Sequence, residues 1–194
     1  ATQGYLVVCV DGRGTGFRGK KFASVVYKNL GKYETEDQLA AARYVASLPY
    51  VDASKIGIFG WSFGGYETLM AMTAPGNPYA AGIAVAPVTD WRLYDSVYTE
   101  RFMLTPQQNS VGYDASSTLG RIKNLKGNLL IVSGTADDNV HIANTFEFVS
   151  EATTQNKILD MMVYPNKNHF INGCETRLAL YTKLLDYFNR NLKK

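Results

Sequence analysis

The sequence is poor in residues that staple, ligate or titrate: its 194 residues include only two cysteines and two histidines. Cys9 and Cys174 cannot build a disulfide framework, and neither has ligand-spaced neighbours, so no metal site is expected. Cys9 sits in an apolar run and reads as a small buried hydrophobe. Long apolar stretches are also missing. None approaches the roughly 20 residues that span a bilayer, so no membrane segment is expected in this chain. Ala1-Thr2-Gln3-Gly4 has no basic region leading into an apolar one, so no signal peptide is visible and the compartment stays open. Charge of one sign is not concentrated either. Lys and Arg number 20 against 17 Asp and Glu, and Lys20-Lys21 and Lys193-Lys194 are the only adjacent basic pairs. Without a basic stripe interleaved with aromatics, no nucleic-acid partner is expected.

What is present is ordinary for a globular domain: 46% hydrophobic and 19% charged residues, in a length suited to one core. Residues 5–10, 56–59, 82–86, 129–132 and 159–164 are apolar runs of the kind that form strands covered on both faces. Between them lie helical patterns. Leu39, Ala42 and Ala46 share a face before Pro49, residues 64–73 precede Pro75, and residues 141–152 follow the fourth run. Residues 89–127 are less regular, with room for a helix over 90–103. In the last helix Leu178, Tyr181, Leu185, Phe188 and Leu192 are spaced by three and four, which predicts one buried stripe. Strand alternating with helix implies an α/β fold, a parallel sheet with helices on both faces. Functional residues in such sheets gather beyond the carboxyl ends of the strands.

Gly60-Trp61-Ser62-Phe63-Gly64 stands at one of those ends. It matches Gly-x-Ser-x-Gly with a strand before it and a helix after it, the setting of a nucleophile elbow. In such a turn the serine is strained, its neighbours two positions away must be small, and the next N–H, that of Phe63, faces a developing oxyanion. The rival reading is a glycine-rich turn that happens to contain serine. A serine nucleophile needs a base. His169 lies in the loop after the fifth run, and His141 opens the helix after the fourth, where a capping or packing role suits it better. Gly134-Thr135-Ala136-Asp137-Asp138-Asn139 follows the fourth run, where the order Ser, Asp, His places the acid. Spacing does not separate Asp137 from Asp138; one should orient the imidazole and the other can cap the next helix.

Gly14-Thr15-Gly16-Phe17-Arg18-Gly19 formally matches the dinucleotide fingerprint, the signature of an oxidoreductase. That fingerprint also needs an acidic residue ending a second strand. Glu34, Glu36 and Asp37 lie near the required distance but open a helix, so the loop reads as turns at the rim of the site.

Three longer motifs resemble the catalytic domain of the prolyl oligopeptidase family, in its dipeptidyl peptidase IV branch. They are residues 60–66, residues 94–101 (Tyr94-Asp95-Ser96-Val97-Tyr98-Thr99-Glu100-Arg101) and residues 134–141. Asp11-Gly12-Arg13-Gly14 and Ala84-Val85-Ala86-Pro87-Val88 agree as well. The resemblance implies an α/β-hydrolase-type domain with Ser62 as nucleophile, Asp137 as acid, His169 as base and Phe63 as oxyanion donor. It implies a proline pocket walled by Val88, Trp91, Tyr94, Tyr98 and Val140, with Asn139 bonding a substrate carbonyl. Helical packing is the simpler reading of Tyr94 and Tyr98 by spacing alone. The activity implied is release of dipeptides after proline or alanine, without a cofactor; an oligopeptidase or acylaminoacyl peptidase is the alternative. A non-catalytic dimerisation module is the reading from another class. A homodimer, and a parent that is periplasmic, secreted or membrane-anchored, are implied in the same way. Three residues depart from the family pattern: Phe63 replaces tyrosine, Ser133 replaces histidine and Phe170 replaces glycine. Family members carry an upstream β-propeller, earlier hydrolase strands and a tyrosine that completes the oxyanion hole. The chain is therefore expected to be one part of such a catalytic domain, lacking its N-terminal strands.

Overall fold

The computed structural model describes residues 1–193. Two helices, α1 (Lys20–Ser24) and α2 (Lys32–Ala46), precede the sheet. Strand β1 (Gly57–Trp61) then turns into α3 (Phe63–Met72), and β2 (Ala81–Val85) leads into α4 (Ser96–Met103) and α5 (Ser110–Ser116). Strand β3 (Asn128–Gly134), α6 (Ala143–Thr154), β4 (Asp160–Tyr164) and α7 (Cys174–Leu192) complete the order. The four strands pair in sequence order and all are parallel.

That order decides how the faces are covered. Right-handed crossovers that add strands in one direction bring their helices to one face. Leu69 of α3 and Phe148 of α6 accordingly share a buried cluster with Leu39 of α2 and with Leu129 and Ile131 of β3. The other face needs a separate cover, and α7 supplies it: Leu180, Leu184, Tyr187 and Leu192 pack on Ile83, Val85, Leu130 and Val132. The expected parallel sheet with helices on both faces is found.

Three expectations need correction. Residues 5–10 are not a strand; Val7 is 72% exposed and Cys9 is exposed. The run is apolar enough, but a strand exists only with a ladder partner. β1 is the terminal strand of this sheet and pairs only with β2. Residues 5–10 are tied down instead by Tyr5 Oη donating to Asn189 and by Gln38 donating to the Val10 carbonyl. Second, continuous apolarity marks double burial only for the inner strands. Every residue of β2 is buried, whereas Phe59 on edge strand β1 and Met161 on edge strand β4 are each 46% exposed. Third, the stripe on α7 is displaced. Leu178, Tyr181 and Leu185 face solvent, and the buried set is Leu180, Leu184, Tyr187 and Leu192. This helix is apolar over so much of its circumference that three-and-four spacing fits two stripes; the sheet chooses one.

Beneath α2 and α3 lies a pair of buried carboxyls. Glu34 Oε2 accepts the Gly31 N–H that opens α2, at 3.1 Å, and Glu67 accepts from the Thr35 hydroxyl at 3.5 Å. Burial pushes Glu34 up to about 7. It pushes Glu67 well above the carboxylate range too, with Glu34 as the next contributor. A carboxyl whose folded value is raised is charged at a cost to the folded state. Stability is untouched below about pH 4, falls as pH climbs to about 7 and stays lowered above that. A glutamine at 34 keeps the acceptor for the Gly31 N–H and removes the cost. Glu34→Gln is therefore expected to raise stability by on the order of 2–3 kcal/mol at about pH 8 and by nothing at about pH 4. Thermal melts at the two pH values check this; an equal shift at both would contradict it.

Candidate active site

Ser62 sits between β1 and α3 with φ 59° and ψ −117°, a left-handed backbone that a side-chain-bearing residue adopts only under constraint. The constraint is visible on both sides. Ser62 N donates to the Val85 carbonyl at 2.8 Å, and Ser62 O accepts from Tyr66 N at 3.0 Å. A Cβ on Gly60 would lie 1.9 Å from the Gly64 carbonyl oxygen, and one on Gly65 would lie 2.8 Å from the Val85 oxygen. β1 and α3 thus cross at a separation that only glycine at 60 permits, and α3 approaches the end of β2 at one that only glycine at 65 permits. Gly64 has open space at its Cβ position, so the second small residue the turn requires is Gly65. The Phe63 N–H is the first of α3 and has no intrahelical partner, which leaves it available to an oxyanion.

The candidate acid and base come together across two loops. His169 Nδ1 is 2.8 Å from Asp137 Oδ2, and both side chains are almost fully buried. Asp137 Oδ1 accepts the N–H groups of Asn139 and Val140 at 3.0 and 2.9 Å, which fixes the carboxylate in its turn. The loops after β3 and β4 are stitched to one another. Ala136 N donates to the Lys167 carbonyl at 3.0 Å, and Asn166 N donates to the Thr135 hydroxyl at 2.8 Å. Gly134 makes this approach feasible, since a Cβ there would lie 2.1 Å from the Lys167 oxygen. Trp61 Nε1 donates to the His169 carbonyl at 3.0 Å, tying the loop that carries His169 to the elbow itself.

Asp138 is exposed and caps nothing; the expectation that it caps the next helix fails. His141 takes that place instead, its Nδ1 accepting the Ala143 N–H at 3.2 Å, in agreement with the capping role read from its position. Ser62, Asn139 and His169 line one cleft of about 510 Å3 together with Trp61, Phe170 and Arg177. No hydrogen bond joins Ser62 to His169, a contact that commonly tightens only around substrate.

Beside the elbow the expected pocket residues do gather. Trp91, Val88 and Val140 are buried in one cluster, and Tyr94, Tyr98 and Phe63 pack on its rim. Trp91 stacks on Tyr98 at 5.7 Å and meets Tyr94 edge-on at 5.9 Å, so the rings brace one another as flat walls. Tyr94 Oη donates to Asn139 Oδ1 at 2.6 Å. With its oxygen taken, Asn139 has its Nδ2 as donor for an acceptor in the cleft. Burial lifts the Tyr98 phenol to about 12, so it stays a neutral donor. The helical spacing of Tyr94 and Tyr98 is not a shared core stripe, because Tyr94 precedes α4 and only Tyr98 lies on it. Sequence reasoning missed Trp61 as an anchor for the base loop and Gly134 as the gap that lets the loops meet. The first carried no signal beyond its place in the elbow; the second was visible only as a glycine after a strand.

The dinucleotide reading finds no support. Arg13 clamps Asp37 at 2.7 Å and Glu36 at 3.0 Å, so the glycine loop is pinned to α2 by the acids that such a site would offer to a ribose.

The elbow geometry yields a contrast between neighbouring glycines. Gly60→Ala is expected to lower esterase turnover on p-nitrophenyl acetate by at least about 100-fold, while Gly64→Ala stays within about threefold of wild type. Equal effects of the two would contradict the packing described.

Three comparisons bear on this arrangement. A model of the prolyl oligopeptidase family matches residues 1–194. A probable dipeptidyl-aminopeptidase B of Ajellomyces capsulatus is 47% identical over 191 residues, which cover 96% of this chain and 21% of that protein. Its counterpart in Pyrenophora teres is 48% identical over 190 residues, covering 95% and 21%. Among solved structures, Porphyromonas gingivalis dipeptidyl peptidase 4 is similar at a TM-score of 0.93 and 54% identity, covering 95% of this chain and 26% of that one. A putative dipeptidyl aminopeptidase IV from Bacteroides ovatus has a TM-score of 0.89 and 35% identity, covering 94% and 26%. The chain spans about a fifth of the length of these curated relatives. With its whole length matched and its elbow and fold in agreement, the chain belongs to the prolyl oligopeptidase family.

Proposed function

We propose that this chain is the nucleophile-bearing part of a longer serine peptidase that releases N-terminal dipeptides after proline or alanine. The observation that carries the reading is the buried His169–Asp137 pair at 2.8 Å, in one cleft with the strained Ser62 and next to an aromatic pocket. Named relatives described as dipeptidyl peptidases support the same reading.

Each residue then has a role. His169 takes the Ser62 proton as the hydroxyl oxygen attacks the carbonyl after proline, forming a tetrahedral oxyanion. Asp137 holds the imidazole tautomer through Nδ1 and stabilises the imidazolium. The Phe63 N–H binds the oxyanion, and a second donor from the remainder of the polypeptide completes the hole. His169 protonates the departing amine as the carbon–nitrogen bond breaks, and water activated by His169 releases the dipeptide from Ser62. The ring of proline has no N–H to satisfy, so walls made by Val88, Trp91, Tyr94, Tyr98 and Val140 suit it, while Asn139 Nδ2 bonds a substrate carbonyl. The same serine, histidine and aspartate serve both steps, which call on no cofactor.

The outer face of α7 favours a homodimer. Leu178, 70% exposed, and Tyr181, 49% exposed, form an apolar strip about two turns of helix long with Leu185. A strip of this kind on a helix matches a second copy of itself across a two-fold axis.

The full polypeptide is expected to cleave peptides with a free amino terminus and proline second, and to spare the same peptides once acetylated. Preference for the acetylated set would replace the dipeptidyl reading by the acylaminoacyl one. Asp137→Asn is expected to lower kcat about 10,000-fold with KM within a few-fold, as loss of the correct tautomer does. Steady-state kinetics on a Gly-Pro amide checks this; a change confined to KM would contradict it.

A further inference from the structure

Ser62 lies between two separate aromatic groups. Phe63, Trp91, Tyr94 and Tyr98 belong to the cluster that walls the acyl pocket. Trp61 belongs instead to the cluster under α7, and its indole is tied to the base loop. Phe170 meets the His169 ring edge-on at 5.5 Å. The leaving amine takes its proton from His169, which places the leaving side of the substrate at the end of the cleft that Trp61 and Phe170 line with it.

At that end of the cleft stands Arg177. Its guanidinium lies 5.2 Å from the centre of the Trp61 ring and is steadied by Asn172 Oδ1 at 3.3 Å. It takes part in no ion pair among the described residues. Of the residues lining the cleft, Arg177 alone carries a permanent charge. Nor does helix stability account for it, because a cation at the end of the opening turn of the 19-residue α7 opposes the helix dipole. A guanidinium within cation–π reach of an indole, half-buried and without a carboxylate, is prepared for one supplied from outside.

We propose that Arg177 is a specificity-determining residue that binds a carboxylate on the leaving side of the substrate. The carboxylate comes from an acidic side chain just after the scissile bond or from the chain terminus of a very short peptide. This inference rests on the peptidase reading above and assigns the chemistry of that site's leaving side.

The test uses the full polypeptide and four peptides, with Gly-Pro release measured by mass spectrometry. Gly-Pro-Glu-Ala-amide against Gly-Pro-Gln-Ala-amide isolates the side-chain carboxylate; Gly-Pro-Ala against Gly-Pro-Ala-amide isolates the terminal one. At low salt the carboxylate member of at least one pair is expected to have about fivefold higher kcat/KM, the size of a partly exposed ion pair, and the favoured pair names the source. In Arg177→Gln that ratio should fall to about one, whatever the variant's overall activity. High salt should shrink it in the wild type, which keeps the test open if the variant does not fold. Ratios near one in both pairs for the wild type, or a ratio that survives Arg177→Gln, overturn the inference and leave the peptidase reading standing. Failure to cleave any of the four overturns the peptidase reading, and this inference with it.

Discussion

Ser62 is held in a backbone conformation that it would leave if either side of the turn gave way. The strand and the helix meet over Gly60, the helix meets the end of β2 over Gly65, the Val85 carbonyl holds the serine N–H, and Tyr66 returns a hydrogen bond one turn later. Everything around the site refers to this crossing. β2 must lie beside β1 for Val85 to be in place, and β3 must lie beside β2 for Asp137 to arrive within reach. The Trp61 side chain, one residue before the serine, fixes the loop that carries His169. The cost of the turn is of order 1–3 kcal/mol and is met by the buried strands and α3 that surround it.

Asp137 and His169 show how little freedom the remaining loops have. Gly134 lets the chain after β3 approach the chain after β4 closely enough for their backbones to bond. The carboxylate of Asp137 is then fully engaged, one oxygen on backbone donors and the other on the imidazole. A carboxylate buried this deeply is tolerable because both of its oxygens are hydrogen-bonded. Asp138, one residue on, has none of this and remains a solvated surface carboxylate.

Much of this was legible in the sequence where a local rule was enough. The elbow has a fixed spacing and needs only a strand and a helix on either side. The order of the candidate acid and base follows from loops at the ends of successive strands, and the aromatic segment 94–101 pointed to a pocket only by resemblance. What could not be read depended on partners remote in sequence. Residues 5–10 have the apolarity of a strand but no ladder to join, and α7 is apolar enough to offer two stripes, of which the sheet accepts one. The roles of Trp61 and Gly134 exist only once two loops, separated by a full strand and helix, are seen to touch. Arg177 was silent because a charge in a helix reads as solvated surface until the cleft it lines is known.

Ser62 Oγ is proposed as the atom to which the acyl group is transferred. The most direct measurement is to let the full polypeptide react with a fluorophosphonate, digest it and locate the adduct by mass spectrometry. A single adduct on the peptide containing Ser62, formed much more slowly when His169 is replaced by alanine, is the result predicted. An adduct on another residue, or none on a protein that still cleaves peptides, would contradict it.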